Sequence, residues 1–176
     1  GLQLINEQSN GLLNFVNSYR KISRIPQPEF ATYDVEDWIG QLKIVFAGKM
    51  KENGIAFAIT SDKSLKQIIA DKKLLNQVMI NLLNNAFDAV MEITDNRKIE
   101  IQIIKDNGGR VVIKVMNNGP VIPPGLQEKI FVPFFTTKKN GSGIGLSISQ
   151  EIMKLHNGSL VVVSTHENQT SCILAF

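Results

Sequence analysis

Apolar and polar positions along the chain follow two rhythms, one with the period of a helix and one with the period of a strand. The helical rhythm opens at residues 2–25, where Leu4, Ile5, Leu12, Phe15, Val16, Tyr19 and Ile22 form a stripe opposed by Asn, Gln, Ser and Lys. Such a stripe predicts packing against another helix, of this chain or of a second copy. Pro26 and Pro28 end it and make residues 26–29 a stiff linker. A short strand at residues 30–33 leads to Asp34, a good N-cap for a helix over residues 35–50 that stops near Gly54. Residues 55–60 read as a strand. Asp71 caps a second helix that runs to about Ile93 and turns Leu74, Leu75, Val78, Met79, Leu82, Leu83, Ala86 and Val90 inward. Residues 98–105 and 110–116 alternate as strands around an Asn107-Gly108-Gly109 hairpin turn. Pro123 and Pro124 open a short helix. A further helix follows Gly145 and stops at Gly158, and residues 160–164 and 171–176 close the chain as a hairpin. Helices alternating with strands and ending in antiparallel pairs predict an α+β protein, a two-layer α/β sandwich with helices on one face of a mixed sheet.

Composition narrows the classes. The chain has 176 residues, 43% of them hydrophobic, enough for one domain with a real core and with no run long enough to span a membrane. The net charge of +3 is mild and its basic residues are scattered, so charge gives no reason to expect nucleic acid. The single cysteine, Cys172, precludes an internal disulfide and any cysteine-based metal cluster. It reads as a core thiol of a cytoplasmic domain, and no signal peptide is visible at the start.

Three stretches carry candidate chemistry. In residues 131–147, FVPFFTTKKNGSGIGLS, Phe131 and Phe134 are apolar anchors, Thr136, Thr137, Lys138, Lys139 and Ser142 supply hydroxyls and cations, and Gly141, Gly143 and Gly145 precede the apolar helix begun by Ile144 and Leu146. Glycines there let backbone approach a ligand, and the helix start suits an anion such as phosphate, under a mobile flap. In residues 81–89, NLLNNAFDA, Asn81 and Asn85 share a helix face that Asp88 extends with a carboxylate. An amide oxygen is a hard ligand suited to magnesium, although the same amides also suit solvent or loop capping. In the third stretch a strand ends in Asn117-Asn118-Gly119-Pro120-Val121-Ile122-Pro123, a tight turn that aims Asn117 above the sheet. Asn117 offers both an acceptor and a donor to a purine edge, with Ile122 as an apolar wall, or else the segment is an ordinary turn.

Together and in this order, the stretches resemble the ATP-binding domain of sensor histidine kinases, in the superfamily shared with DNA gyrase B, the mismatch-repair ATPases and the heat-shock chaperone ATPases. NLLNNAFDAV is similar to the N box, NNGPVIP to the first glycine box, FVPFF to the F box and GSGIGLSI to the second glycine box, and Thr170, ahead of the last strand, resembles the threonine of a terminal motif near the phosphates. The resemblance covers residues 30–176. Residues 1–25 resemble part of the second helix of the dimerisation and phosphoacceptor hairpin. What it implies is a Bergerat-type sandwich holding ATP and magnesium under a lid of residues 124–143. Asn85 would be the magnesium ligand and Asn81 would sit by the phosphates. Gly141, Gly143 and Gly145 would face the triphosphate, Phe131 and Phe134 would anchor the lid, and Asn117, Gly119, Val121 and Ile122 would line the base.

The sequence departs from the family pattern at three positions. Asn117 replaces the usual Asp, so a neutral hydrogen bond of about 1 kcal/mol stands where a charged one reaches about 2. Val121 replaces a glycine, and Asp88 replaces a frequent Lys or Arg, leaving Lys138 or Lys139 as the cation expected at the terminal phosphate. Asn81 stands where the gyrase branch has a Glu as general base, which favours transfer to an amino-acid acceptor over hydrolysis. The resemblance implies a protein-histidine kinase. Its acceptor histidine would lie upstream, with neither His156 nor His166 in an acceptor motif. Its partners would be a response regulator and a second copy paired through the first helix, in a parent protein with or without a membrane anchor. A degenerate nucleotide-binding or dimerising module and a stand-alone ATPase are the alternatives.

Overall fold

The computed structural model describes Val16 and residues 25–138, 141–165 and 169–176. Residues 2–15 and 17–24 of the predicted first helix, Lys139 and His166 lie outside the described residues, and Ile25, its last predicted residue, is not helical. In chain order the elements are β1 (Ala31–Asp34), α1 (Val35–Glu52), β2 (Ala56–Ser61), β3 (Gln67–Ala70), α2 (Lys72–Met91), β4 (Lys98–Lys105), β5 (Val111–Asn117), α3 (Pro124–Gln127), a 3-10 turn at Lys129–Phe131, α4 (Gly145–Leu155), β6 (Ser159–Thr165) and β7 (Gln169–Ala175).

Both long helices start at an aspartate, as their sequences predict. Asp34 accepts from the Asp37 N–H at 3.1 Å, and Asp71 accepts from the Lys73 and Leu74 N–H groups at 2.9 and 3.0 Å. Each satisfies donors that the first helical turn leaves open. β4 and β5 are joined through Asp106, whose side chain accepts from Gly108 N and Arg110 N, both at 2.9 Å, while Gly109 takes a positive φ of 81°.

Five strands form one mixed sheet in the order β2-β4-β5-β7-β6, parallel between β2 and β4 and antiparallel elsewhere. Alternation sets its faces: Ile99, Ile101 and Ile103 of β4, Ile113 and Val115 of β5 and Cys172 and Leu174 of β7 are buried. α1 packs on β2, α2 on β4 and β5, and α4 on β6 and on α2. The Leu and Val face of α2 is buried as its spacing predicts, from Leu74 to Val90. Trp38 of α1 is fully buried and donates Nε1–H to Asn76 Oδ1 of α2 at 2.7 Å. The expected two-layer α/β sandwich is therefore present.

One element goes beyond the sequence expectation. β3 pairs antiparallel with β1, Ala31 opposite Ala70, in a two-stranded ribbon apart from the main sheet. Four residues give too little alternation to identify β3, and its partner lies far away in sequence.

Candidate functional site

The site is organised by α2, which touches a different element at each turn. Asn81 Nδ2 donates to Ser149 Oγ of α4 at 2.9 Å, and Ser149 is buried. A Cβ on Gly145 would run into Asn81 Oδ1, so glycine is what allows the start of α4 to rest on the amide. One turn later, Asn85 Oδ1 accepts from Lys138 Nζ at 3.0 Å, and the same ammonium donates to Asp88 Oδ2 at 2.6 Å. Asn84 faces elsewhere, accepting from Lys49 Nζ of α1 at 3.2 Å. Finally, a Cβ on Gly119 would meet the Ala89 backbone at 2.7 Å, so the turn after β5 lies directly on α2. Asn81 to Ala89 is about 12 Å of helix. Along it come the start of α4, the lid and the strand-end turn, in that order.

The lid is closed at its base. Gly143 has φ of 66°, and a Cβ there would meet the Phe134 carbonyl carbon at 2.5 Å. The Phe134 N–H donates to Gly143 O at 2.8 Å, and Phe134 itself takes a positive φ of 69°. Phe131 and Phe134 pack half-buried against the core, as anchors should. Within the loop Thr136 Oγ1 accepts from Lys138 N at 3.1 Å and sits against Gly141, while Thr137 and Ser142 are exposed. Ile144, buried, is the N-cap of α4 but supplies no side-chain cap. The Ile148 N–H bonds back to Ile144 O at 2.9 Å, so among the described residues the first-turn N–H groups, from Gly145 through half-buried Leu146, have no intrahelical acceptor, an arrangement that suits an anion.

At the strand end Asn117 is 7% exposed, and its Oδ1 accepts from Gly119 N–H at 3.0 Å. Asn118 fastens the turn to the start of β4, accepting from Lys98 N at 2.7 Å and donating to Asn96 O at 2.6 Å. Val121 and Ile122 are half-buried, and Ile122 N–H donates to Ser164 Oγ at 3.0 Å. Ser164 Oγ shares a 2.8 Å hydrogen bond with Thr170 Oγ1. Thr170 corrects an expectation: it lies inside β7 rather than ahead of it, opposite Asn117 in the β5–β7 register, and so belongs with the strand-end turn.

Outside the site His156 is more than helix-end polarity. It is buried, its Nδ1 bonds Ile152 O at 2.8 Å and its Nε2 accepts from Asp71 N at 3.0 Å. Both ring nitrogens are engaged. Cys172 is the core thiol expected, with burial pushing its pKa up to about 12. Sequence reading missed Ser149 and Ser164. Their only signal is a hydroxyl at an inward helix or strand position, which must find a partner.

The family model for histidine kinase-, DNA gyrase B- and HSP90-like ATPases matches residues 70–176, which contain α2, the lid, the strand-end turn and all but one strand of the main sheet. The chain belongs to this ATPase family. The chain is similar to the signal transduction histidine-protein kinase AtoS of Escherichia coli, 42% identical over 110 residues, which are 62% of this chain and 18% of AtoS. A putative sensor histidine kinase NtrY-like of Rickettsia conorii is 32% identical over 164 residues, 93% of this chain and 26% of the relative. The chain thus spans about a fifth to a quarter of these two relatives. Among solved structures, the catalytic domain of histidine kinase ThkA has a TM-score of 0.74 at 35% identity, covering 84% of this chain and 95% of that one. ThkA in complex with response regulator protein TrrA has a TM-score of 0.77 at 30% identity, covering 98% of this chain and 49% of that one. Among the described residues no helix is long and apolar enough to cross a membrane.

Proposed function

We propose that residues 30–176 are the catalytic ATP-binding domain of a sensor histidine kinase. The parent protein transfers the γ-phosphate of Mg-ATP to a histidine upstream of these residues, and from there to a response regulator. The observation that carries the reading is the convergence on α2: the lid lysine meets Asn85 and Asp88 while the start of α4 rests on Asn81. Helix and lid border one space, and the features at its edges suit a triphosphate.

Two oxygens, Asn85 Oδ1 and Asp88 Oδ2, already converge on the cationic Nζ of Lys138, so the donor set fits a hard cation. Asn85, with Asp88 beside it, would hold the magnesium, which when bound neutralises phosphate charge. The N–H groups at the start of α4 receive phosphate oxygens, and Gly143 and Gly145 keep side chains out of their way. Asn81 positions α4 through Ser149 and, being a neutral amide, takes no proton from water. This supports transfer over hydrolysis, because transfer relies on positioning and charge more than on a base. His156, buried with both ring nitrogens engaged, supports an acceptor elsewhere. Residues 1–25 as dimerisation helix, 26–29 as linker and a cytoplasmic setting belong to the same proposal.

Calorimetric titration with Mg-ATP tests it. The chain is expected to bind, and Asn85→Ala to weaken magnesium-dependent binding at least about tenfold, the equivalent of 1.4 kcal/mol. Heat that is the same with and without Asn85, or label from γ-labelled ATP appearing on this chain alone, would count against the assignment.

A further inference from the structure

Among the described residues the group that Asn117 leaves without a partner is a donor, its Nδ2. Asn117 ends β5 on the same sheet face as the buried Ile113 and Val115, and is itself more than nine-tenths buried. Its Oδ1 accepts the Gly119 N–H at 3.0 Å. That contact fixes the amide, because turning it over would set Nδ2 against a second N–H. Gly119 itself lies directly against the Ala89 backbone of α2, so the turn cannot shift toward the helix. Among the described residues Nδ2 makes no hydrogen bond. A carboxylate here would bond Gly119 N–H with one oxygen and offer a second acceptor. The amide bonds Gly119 in the same way and offers an NH2.

Adenine places an amino donor at C6, whereas guanine and hypoxanthine place a carbonyl acceptor there. Nδ2 facing an adenine amino group sets donor against donor at a buried side chain, while Nδ2 facing O6 makes a hydrogen bond. The N1 position of a 6-oxopurine carries a proton, and Thr170, opposite Asn117 in the register, has a hydroxyl that accepts as readily as it donates. Ser164 holds that hydroxyl at 2.8 Å and also takes the Ile122 N–H.

We propose that Asn117 makes this site selective for a 6-oxopurine nucleoside triphosphate over ATP. The inference rests on the nucleotide-site reading above and alters only the base that site prefers, Mg-ATP remaining a weaker ligand of the same site. Inosine triphosphate is the cleanest probe, since it differs from ATP only at C6 and the adjoining N1. Magnesium complexes of both are titrated calorimetrically into the full 176-residue chain and into Asn117→Asp. The wild-type chain is expected to bind the inosine nucleotide more tightly. The aspartate variant is expected to reverse the order, with the ratio of the two dissociation constants moving at least about tenfold. Guanosine triphosphate should follow the inosine nucleotide. Circular dichroism and a urea midpoint confirm that the variant is folded. ATP preferred by the wild-type chain, or a ratio unmoved by the substitution, overturns the base assignment and leaves the nucleotide site standing. Failure of both proteins to bind either nucleotide overturns the site reading together with this inference.

Discussion

Gly119 and Gly145 do more for the site than their composition suggests, because each is the point where another segment, a turn or the start of α4, touches α2. At Gly119 a methyl group would meet backbone atoms of Ala89, which cannot move aside as a side-chain tip can. Gly119→Ala is therefore expected to destabilise the fold by about 1–3 kcal/mol, read as a lower urea midpoint, and to weaken nucleotide binding as the strand-end turn lifts from the helix. Gly125→Ala, in open space on α3, is the matched control and should be close to neutral. Equal effects at the two positions would mean that the close approach is unimportant. At this scale the sequence was only partly legible. The polar face of Asn81, Asn85 and Asp88 follows from helical spacing. Asn84, between them, gives its oxygen to Lys49 on α1. No local pattern separates the amides that meet α4 and the lid from the one that meets α1, because the difference lies in which element packs on each side. Ser149 and Ser164 were illegible for the same reason, their partners being remote in sequence.

Among the elements, the lid is the one whose contacts are weak enough to change. Lys138 and Asp88 form an ion pair with both side chains substantially exposed, a geometry worth about 0–1 kcal/mol. The lid base, by contrast, is fixed by the Phe134–Gly143 hydrogen bond and by two half-buried phenylalanines. On the proposed nucleotide-site reading, a firm base and a weakly held tip would let Lys138 leave Asn85 and Asp88 for the terminal phosphate. Lys138→Ala is then expected to leave the urea midpoint within about 0.5 kcal/mol of the parent. It should weaken a magnesium nucleoside triphosphate about tenfold more than the diphosphate, the effect of one charge-assisted hydrogen bond. Calorimetry on both ligands measures this, and an equal loss on the two would remove Lys138 from the terminal phosphate. The regular elements were more legible than the lid contacts. Alternation located β4 and β5 and helical spacing located α2, since each buries one face. The four-residue β3 escaped because its pairing with β1 is decided by tertiary docking.

For the whole molecule, the decisive joint is the one around Asp71. Its carboxylate caps α2, its Oδ2 accepts from Glu29 N in the linker segment at 2.8 Å, and its own N–H bonds His156 at the end of α4. Phe30 packs edge-on against the His156 ring, centroids 5.2 Å apart. Linker segment, α2 and α4 therefore meet at one residue, through its side chain and its backbone N–H. Burial opposes the charge of Asp71, but the N–H groups of Leu74, Glu29 and Lys73, and His156 nearby, more than offset it and hold the carboxyl below its usual range. A depressed carboxylate stabilises the fold fully above its unfolded value of about 3.9, and that contribution is lost as pH falls through the lower folded value. Asp71→Ala is expected to cost about 1–2 kcal/mol at pH 7, the magnitude of a lost helix cap. The gap between the urea midpoints of the two proteins should close as pH is lowered from 5 towards 2, because protonation of Asp71 removes the same interactions in the wild type. A gap that stays constant across that range would show that the stabilisation at this joint comes from packing and not from the charge.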